Sequence, residues 1–417
     1  MNPFDEVLEV DIARLGNGVG GIAPREGSRT VFVRRALPGE RIRCTSSRVG
    51  RRHLEAELKE ILSPSPHRVE PFCPFFPECG GCSLQHLAYQ RQLYWKRQWV
   101  ARAFRRAGLE RIDVLPTIGS PLMQGYRNRV SFDVVDGHPA LHRYRGDPLP
   151  VDDCPLLHPR GRKLMTGLLE TDLSSCRRLT VRASCNTPDT MIELRGGLPE
   201  MPGRVLRETT CLASRIDGNW TEKGDRMTEV LAGLAFPVPP GCFFQVNTKA
   251  AEVLVEQVVE LADGDGPVLD LYGGMGCFGL ALARPGRAVH VVERNVSTLN
   301  AGIEAVKMNG ITGVSFESDY ARRFLSRAVA EDRKVDTAVV DPPRSGLGKR
   351  VTRLLARLSP RTVVYVSCNP FALARDVKIL HDNGYTAEEA RPLDLFPHTD
   401  HVECVIRLSA GPERRSR

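Results

Sequence analysis

The carboxyl-terminal part of the chain carries a punctuation that few folds tolerate. Short apolar runs stop abruptly at polar or glycine-rich turns: Val268-Leu269-Asp270-Leu271, Ala288 to Val292, Thr337 to Val340 and Val363 to Val366. Ala250 to Ala262 has helical period, and Leu280 to Ala283 continues the first strand as a helix. Strands alternating with helices predict a parallel, doubly wound α/β sheet. In such a sheet, ligands and reacting groups gather at the carboxyl ends of the strands.

Cys368 stands at one of those ends, in Ser367-Cys368-Asn369-Pro370. A lone cysteine there is more often a small buried hydrophobe than a nucleophile, so its neighbours decide. Gly274, Gly276 and Gly279 match G-x-G-x-x-G after the first strand, and Glu293 lies about twenty residues on, where a dinucleotide fold keeps its ribose-binding acid. The pattern predicts a nucleoside cofactor and leaves NAD and S-adenosylmethionine both open. Asp341-Pro342-Pro343-Arg344 places one carboxylate on a rigid loop after a strand, although diprolines also serve as plain turns. In Phe396 to Ile406, an extended backbone would put Thr399, His401 and Glu403 on one face and His398 and Asp400 on the other. His398-x-Asp400 hints at a non-haem iron site, but no distal histidine with matching context accompanies it.

The 417 residues suggest two or three domains. With 41% hydrophobic and 26% charged residues, the chain has a core to bury and is not a disordered one. Met1 to Leu15 has neither a basic nor an apolar leader region, and no later run reaches membrane-spanning length. The expectation is therefore a cytoplasmic protein with no membrane partner. A net charge of +8 suits a polyanionic partner without requiring one.

Residues 8–62 read as about five short strands with glycine-rich turns, a small Greek-key barrel of the kind that binds single-stranded nucleic acid. Arg48, Arg51, Arg52 and His53 fit a phosphate-facing loop or, equally, a solvated hairpin. Ser63 to Pro66 marks a linker. Cys73, Cys79 and Cys82, with Cys154 about seventy residues on, form a four-thiol set. Of the twelve cysteines these carry ligand spacing, and proline after Cys73 and Cys154 favours a [4Fe–4S] cluster over zinc. Residues 89–109 predict a helix with Leu93, Trp99, Val100, Ala103 and Phe104 on its apolar side. Arg91, Lys96, Arg97, Arg102, Arg105 and Arg106 form its solvated, basic side, with phosphate contact as a second reading. Residues 112–240 read as β-rich, with Cys176, Cys185 and Cys211 as packing residues. The expected division is 1–63, a nucleic-acid-binding barrel; 64–240, a central cluster-bearing domain onto whose neighbour the basic helix packs; and 241–417, the α/β domain.

Together these motifs resemble the RNA (uracil-5-)methyltransferase family in its form with a TRAM domain and an iron–sulfur cluster. The resemblance covers nearly the whole chain and is carried most specifically by Ser367-Cys368-Asn369-Pro370 with Phe396-Pro397-His398-Thr399 and His401-Val402-Glu403. It implies a Rossmann-like S-adenosylmethionine domain in which Cys368 is the nucleophile and Glu403 the base. Gln245, Tyr272, Glu293, Asp319 and Asp341 would line the cofactor and uridine pocket, beside the Gly274 and Gly276 loop. Cys73, Cys79, Cys82 and Cys154 would hold the cluster, in a structural or RNA-positioning role. The implied partner is RNA, 23S ribosomal RNA first and transfer RNA second, met by a monomer. The family often has cysteine and asparagine where this chain has Gly273 and Cys277. The chemistry needs these residue types: uracil C5 is a weak nucleophile until a thiolate adds at C6, and a base must then remove the C5 proton. Two other readings stand beside it. One is an exocyclic-amine methyltransferase, although Arg344 replaces the stacking aromatic of that loop. The other is a non-catalytic RNA-binding protein.

Overall fold

A computed structural model describes residues 6–25, 29–51, 53–144 and 146–411; Arg52 of the basic cluster lies outside them. Its largest sheet has nine strands. Along it run Val314–Ser318, Val289–Glu293, Val268–Leu271, Thr337–Val340, Thr362–Ser367, Glu403–Ala410, Glu389–Leu393 and Asp113–Val114, with Tyr385–Thr386 paired beside Glu403–Ala410. The first five are parallel, as the strand–helix alternation predicts. Strands Val268–Leu271 and Thr337–Val340 are buried at every position, since apolar clusters cover both faces of the sheet. That double burial is why they read as unbroken apolar runs. Chain order proceeds outward in both directions from Val268–Leu271, which puts the topological switch point beside it. Beyond Thr362–Ser367 the direction reverses, because Glu403–Ala410 pairs antiparallel with it.

The amino-terminal strands form a six-stranded sheet in the order Val7–Asp11, Arg41–Val49, His53–Ser63, Thr30–Val33, Gly20–Ala23, Arg14–Gly16. Its two outer strands are consecutive in the chain, separated by Ile12 and Ala13, so the sheet curls back on itself around Val10, Val31, Val33, Ile42 and Cys44. Arg48 lies 3.8 Å from Glu55, and the His53 ring stacks on Phe32. Between residues 129 and 224 a seven-stranded sheet supplies the expected β-rich structure. No helix among the described residues is long and apolar enough to cross a membrane.

The helix Tyr89–Arg106 ties these parts together. Val100, Ala103 and Phe104 enter the core under the large sheet, and Trp99 Nε1 donates to the Leu15 carbonyl at 3.0 Å. The structure corrects one expectation. Lys96 is not on a solvated basic face: it is 0% exposed and donates to Asp394 Oδ1 at 2.5 Å and to the Phe396 carbonyl at 3.0 Å. Helical period cannot reveal this, because the anion that pairs with Lys96 lies about three hundred residues away. Removing one partner of a buried pair strands the other charge. Lys96→Met is expected to lower stability by about 3–5 kcal/mol, measured by urea unfolding.

Candidate active site

Cys368 follows the fully buried strand Thr362–Ser367 directly. Asn369 then caps the helix Pro370–Asp382, its Oδ1 accepting from the Phe371 and Ala372 N–H groups, and Pro370 occupies the first turn, where its missing N–H costs nothing. Asn369 Nδ2 also donates to the Arg344 carbonyl at 2.9 Å, which fastens the Cys368 turn to the Asp341-Pro342-Pro343-Arg344 loop. Antiparallel register completes the arrangement. Ser367 pairs with Cys404, so the next step along both strands sets Cys368 opposite Glu403, the first residue of its strand.

The electrostatics of this corner are unusual. Burial, then the charge of Asp341, pushes Glu403 well above the ordinary carboxylate range, with Arg344 opposing. Asp341 is itself pushed up to about 7 by burial and by Asp270, and Asp270 to about 7 by burial, against the hydrogen bond from the Gly279 N–H. Burial and the two carboxylates push the Cys368 thiol up to about 11, again with Arg344 pulling the other way. Arg344 Nη2 also lies 3.1 and 3.3 Å from the His401 ring nitrogens. By motif alone Arg344 is no more than an absent aromatic; in the fold it is the cation that moderates both reactive groups. Perturbed groups gathered at a sheet edge are a functional signature.

Residues 396–400 form a turn instead of the extended strand that alternation suggests, and the strand begins only at Glu403. The reason lies in distant donors. The carbonyls of Leu395, Phe396, Pro397 and Asp400 accept from Asn247, Lys96, Tyr126 and Asn17, and that of His398 from the Ser83 and Leu84 N–H groups. Among the described residues no group of three His, Cys, Asp or Glu side chains is placed to hold one metal ion, around His398 and Asp400 or elsewhere.

At the switch point a cavity of about 70 Å3 is lined by Gln245, Tyr272, Gly274, Cys277, Phe278 and Asp341. Gly274 and Gly276 adopt φ of 59° and 82°, which only glycine takes at little cost, and Gly276 starts the short helix Cys277–Ala281. A side chain at position 273 would meet Val291 at 2.5 Å and Asp270 at 2.9 Å, so glycine there suits this backbone. Burial pushes the Cys277 thiol up to about 12. Glu293, at the end of the second strand, accepts from the Gly274 N–H at 3.2 Å and from the Asn295 N–H at 2.7 Å. Asp319 does not line this cavity. It pairs with Arg323 and Arg327 and accepts from the Tyr320 N–H, and these bonds outweigh its burial and hold its carboxyl below the ordinary range. Asp270 opens the motif that runs to Gly276, but the sequence assigns it no role. It is fully buried, takes the Gly279 N–H at 2.9 Å and leaves Oδ1 without a partner among the described residues, at the base of the glycine loop.

Cys73, Cys79, Cys82 and Cys154 come together around a second cavity of about 70 Å3. Burial raises the Cys79 and Cys154 thiols and pushes Cys82 up to about 12. Arg127 shares the wall, and its buried Nε has no hydrogen-bond partner among the described residues.

Residues 232–410 match the family model described as tRNA (uracil-5-)-methyltransferase. An uncharacterized RNA methyltransferase of Caldanaerobacter subterraneus subsp. tengcongensis is 32% identical over 96% of this chain and 97% of its own length. One from Geobacter sulfurreducens is 32% identical over 99% of this chain and 92% of its own. The crystal structure of the Pyrococcus abyssi tRNA (uracil-54, C5)-methyltransferase in complex with S-adenosyl-L-homocysteine is 28% identical. It superposes with a TM-score of 0.78 over 96% of this chain and 100% of that one.

Proposed function

Because this chain belongs to the tRNA (uracil-5-)-methyltransferase family of RNA methyltransferases, we propose that it methylates C5 of one uridine in a structured RNA, with Cys368 as nucleophile and Glu403 as base. The observation that carries this reading is the register that pairs Ser367 with Cys404, whose next step brings the Cys368 thiol to a buried carboxylate, Glu403, at the carboxyl edge of the sheet. S-adenosylmethionine, when bound at the Gln245, Tyr272, Gly274 and Asp341 cavity, supplies an electrophilic methyl group. The Cys368 thiolate would add to uracil C6, and the electron pair displaced to C5 would take the methyl as its bond to the sulfonium sulfur breaks, with the neutral thioether as leaving group. Glu403 then accepts the C5 proton, the C5–C6 double bond re-forms, and the C6–S bond breaks to release the thiolate. A carboxylate raised above its ordinary range is a stronger base for that step. Asp341 faces both the cavity and the reacting pair, and we assign it to hold the polar edge of the base. Glu293 joins the ribose side through the glycine loop, Gly276 shapes that loop, and Asp319 acts at most from outside the cavity.

We read the four thiols as the ligands of a [4Fe–4S] cluster. What supports this is that they line one cavity with Arg127, whose Nε has no hydrogen-bond partner among the described residues and would face an anionic cluster. Burial keeps Cys79, Cys82 and Cys154 protonated when free, so ligation would release protons. Methyl transfer has no redox step, so we assign the cluster a structural or RNA-positioning role. The curled amino-terminal sheet is read as a TRAM-type RNA-binding barrel over 1–63, followed by a cluster domain over 64–240 and the methyltransferase domain over 241–417. The assigned RNA is 23S rRNA. Mapping 5-methyluridine in total RNA from a strain lacking the protein tests this: one missing site in 23S rRNA is expected, and a missing site in tRNA would move the assignment to the substrate class of the Pyrococcus enzyme.

Arg344 provides a further test. Its charge lowers both Cys368 and Glu403, so Arg344→Ala raises both. Thiolate and carboxylate are the active forms, and both then require higher pH. The ascending limb of the rate profile is expected to move to higher pH, and a limb displaced by one pH unit costs roughly tenfold in activity at neutral pH.

A further inference from the structure

Gln92 is fully buried on the helix Tyr89–Arg106, yet its amide is saturated on two sides. Nε2 donates to the carbonyls of Leu84 and Leu87 at 3.1 and 2.8 Å, just after Cys82, and lies 3.3 Å from His398 Nδ1. Oε1 accepts the backbone N–H of His398 at 2.9 Å. His398 has a φ of 65°, a left-handed conformation that a side chain rarely adopts and that surrounding contacts must impose. Its carbonyl is held by the N–H groups of Ser83 and Leu84 at 3.0 and 2.9 Å. The kink therefore exists where one amide and two backbone donors from the cysteine-bearing segment clamp it. Five residues later the chain reaches Glu403.

We propose that Gln92 is a positioning residue for Glu403, acting through His398 to fix the 394–402 loop against the segment that follows Cys82. The proposal rests on the reading of Glu403 as the base. Cys368 is carried by the buried strand Thr362–Ser367 and by the Asn369 cap, neither of which touches this clamp. Glu403 is the first residue of its strand and pairs with Leu393 on one side, so the loop that leads directly into it helps to set where its carboxylate lies. A misplacement near 1 Å is enough to cost about a hundredfold in a positioned step. Loosening the clamp therefore slows proton removal while leaving thiol addition and methyl transfer in place.

The test uses the full-length protein, total RNA from a strain lacking it, and S-adenosylmethionine labelled in the methyl group. A methyl label that migrates with the protein on a denaturing gel reports the methylated adduct before proton removal. Wild type is expected to put its label in RNA, Glu403→Gln to hold it on protein, and Gln92→Leu to trap an intermediate share while turnover falls about tenfold or more. Gln92→Glu keeps the chain length and the acceptor for His398 but loses the amide donors, and its trapped share is expected between those of wild type and Gln92→Leu. It also carries the test if the leucine variant does not fold. Folded Gln92 variants that turn over normally, or that lose turnover without trapping label, would overturn the proposal. Absence of trapping in Glu403→Gln would instead overturn the base assignment, so the two failures are distinguishable.

Discussion

Cys368→Ala is expected to abolish methylation, with a loss on the order of 10^4- to 10^6-fold, the range seen when a covalent nucleophile is removed. Uracil C5 carries too little electron density to take a methyl group unaided, so something must first add to C6. Cys368 is the thiol that directly follows the strand Thr362–Ser367 and feels the charges of Glu403, Asp341 and Arg344, whereas the Cys277 thiol lies on the wall of the glycine-loop cavity. RNA containing 5-fluorouridine separates loss of the nucleophile from loss of binding. Fluorine at C5 leaves no proton to remove, so wild type should form a gel-stable adduct and Cys368→Ala none, while both bind the RNA equally. An adduct that persists in the variant would move the nucleophile elsewhere. The thiol, pushed up to about 11 in the free protein, must lose its proton to react. Adduct formation should therefore rise with pH through the neutral range.

How far a sequence can reveal such a site depends on whether each signal is local. Strand ends are legible because a buried parallel strand is a continuous apolar run and must stop at a polar turn; Val268–Leu271, Thr337–Val340 and Thr362–Ser367 all lie where such runs stop. The thiol set is legible as spacing. Pairing is not. Cys368 and Glu403 face each other because an antiparallel strand is added at one register, and a shift of one residue would turn Glu403 to the opposite face. The 396–400 turn reads as extended because alternation is the only local cue, while the hydrogen-bond partners that bend it come from Ser83, Leu84, Gln92, Lys96 and Tyr126. Lys96 reads as solvated for the same reason. Asp319 enters through family resemblance alone, and its side chain is committed to Arg323 and Arg327. Asp270 is visible as the first residue of the motif that runs to Gly276, but no role attaches to it there; its burial, with Oδ1 unpaired among the described residues, gives it one.

Glu403→Gln should lower multiple turnover by roughly 10^2- to 10^4-fold, the usual worth of a positioned base, while sparing the first methyl transfer. Glutamine keeps the shape and the strand start but cannot accept the C5 proton, and the C6–S bond cannot break until that proton leaves. The methylated uridine should therefore stay attached to Cys368. Burial and Asp341 hold Glu403 well above the ordinary carboxylate range, so wild-type turnover should fall as pH drops and the carboxylate becomes protonated. In Glu403→Gln that acid limb should vanish from adduct formation, leaving only the limb set by the Cys368 thiol. Asp341 is the competing candidate, since it shares the corner and is pushed up to about 7. Its position on the cavity wall puts it toward the cofactor and the edge of the base, so Asp341→Asn should weaken binding and slow methyl transfer without accumulating adduct. Accumulation in Asp341→Asn and not in Glu403→Gln would exchange the two roles.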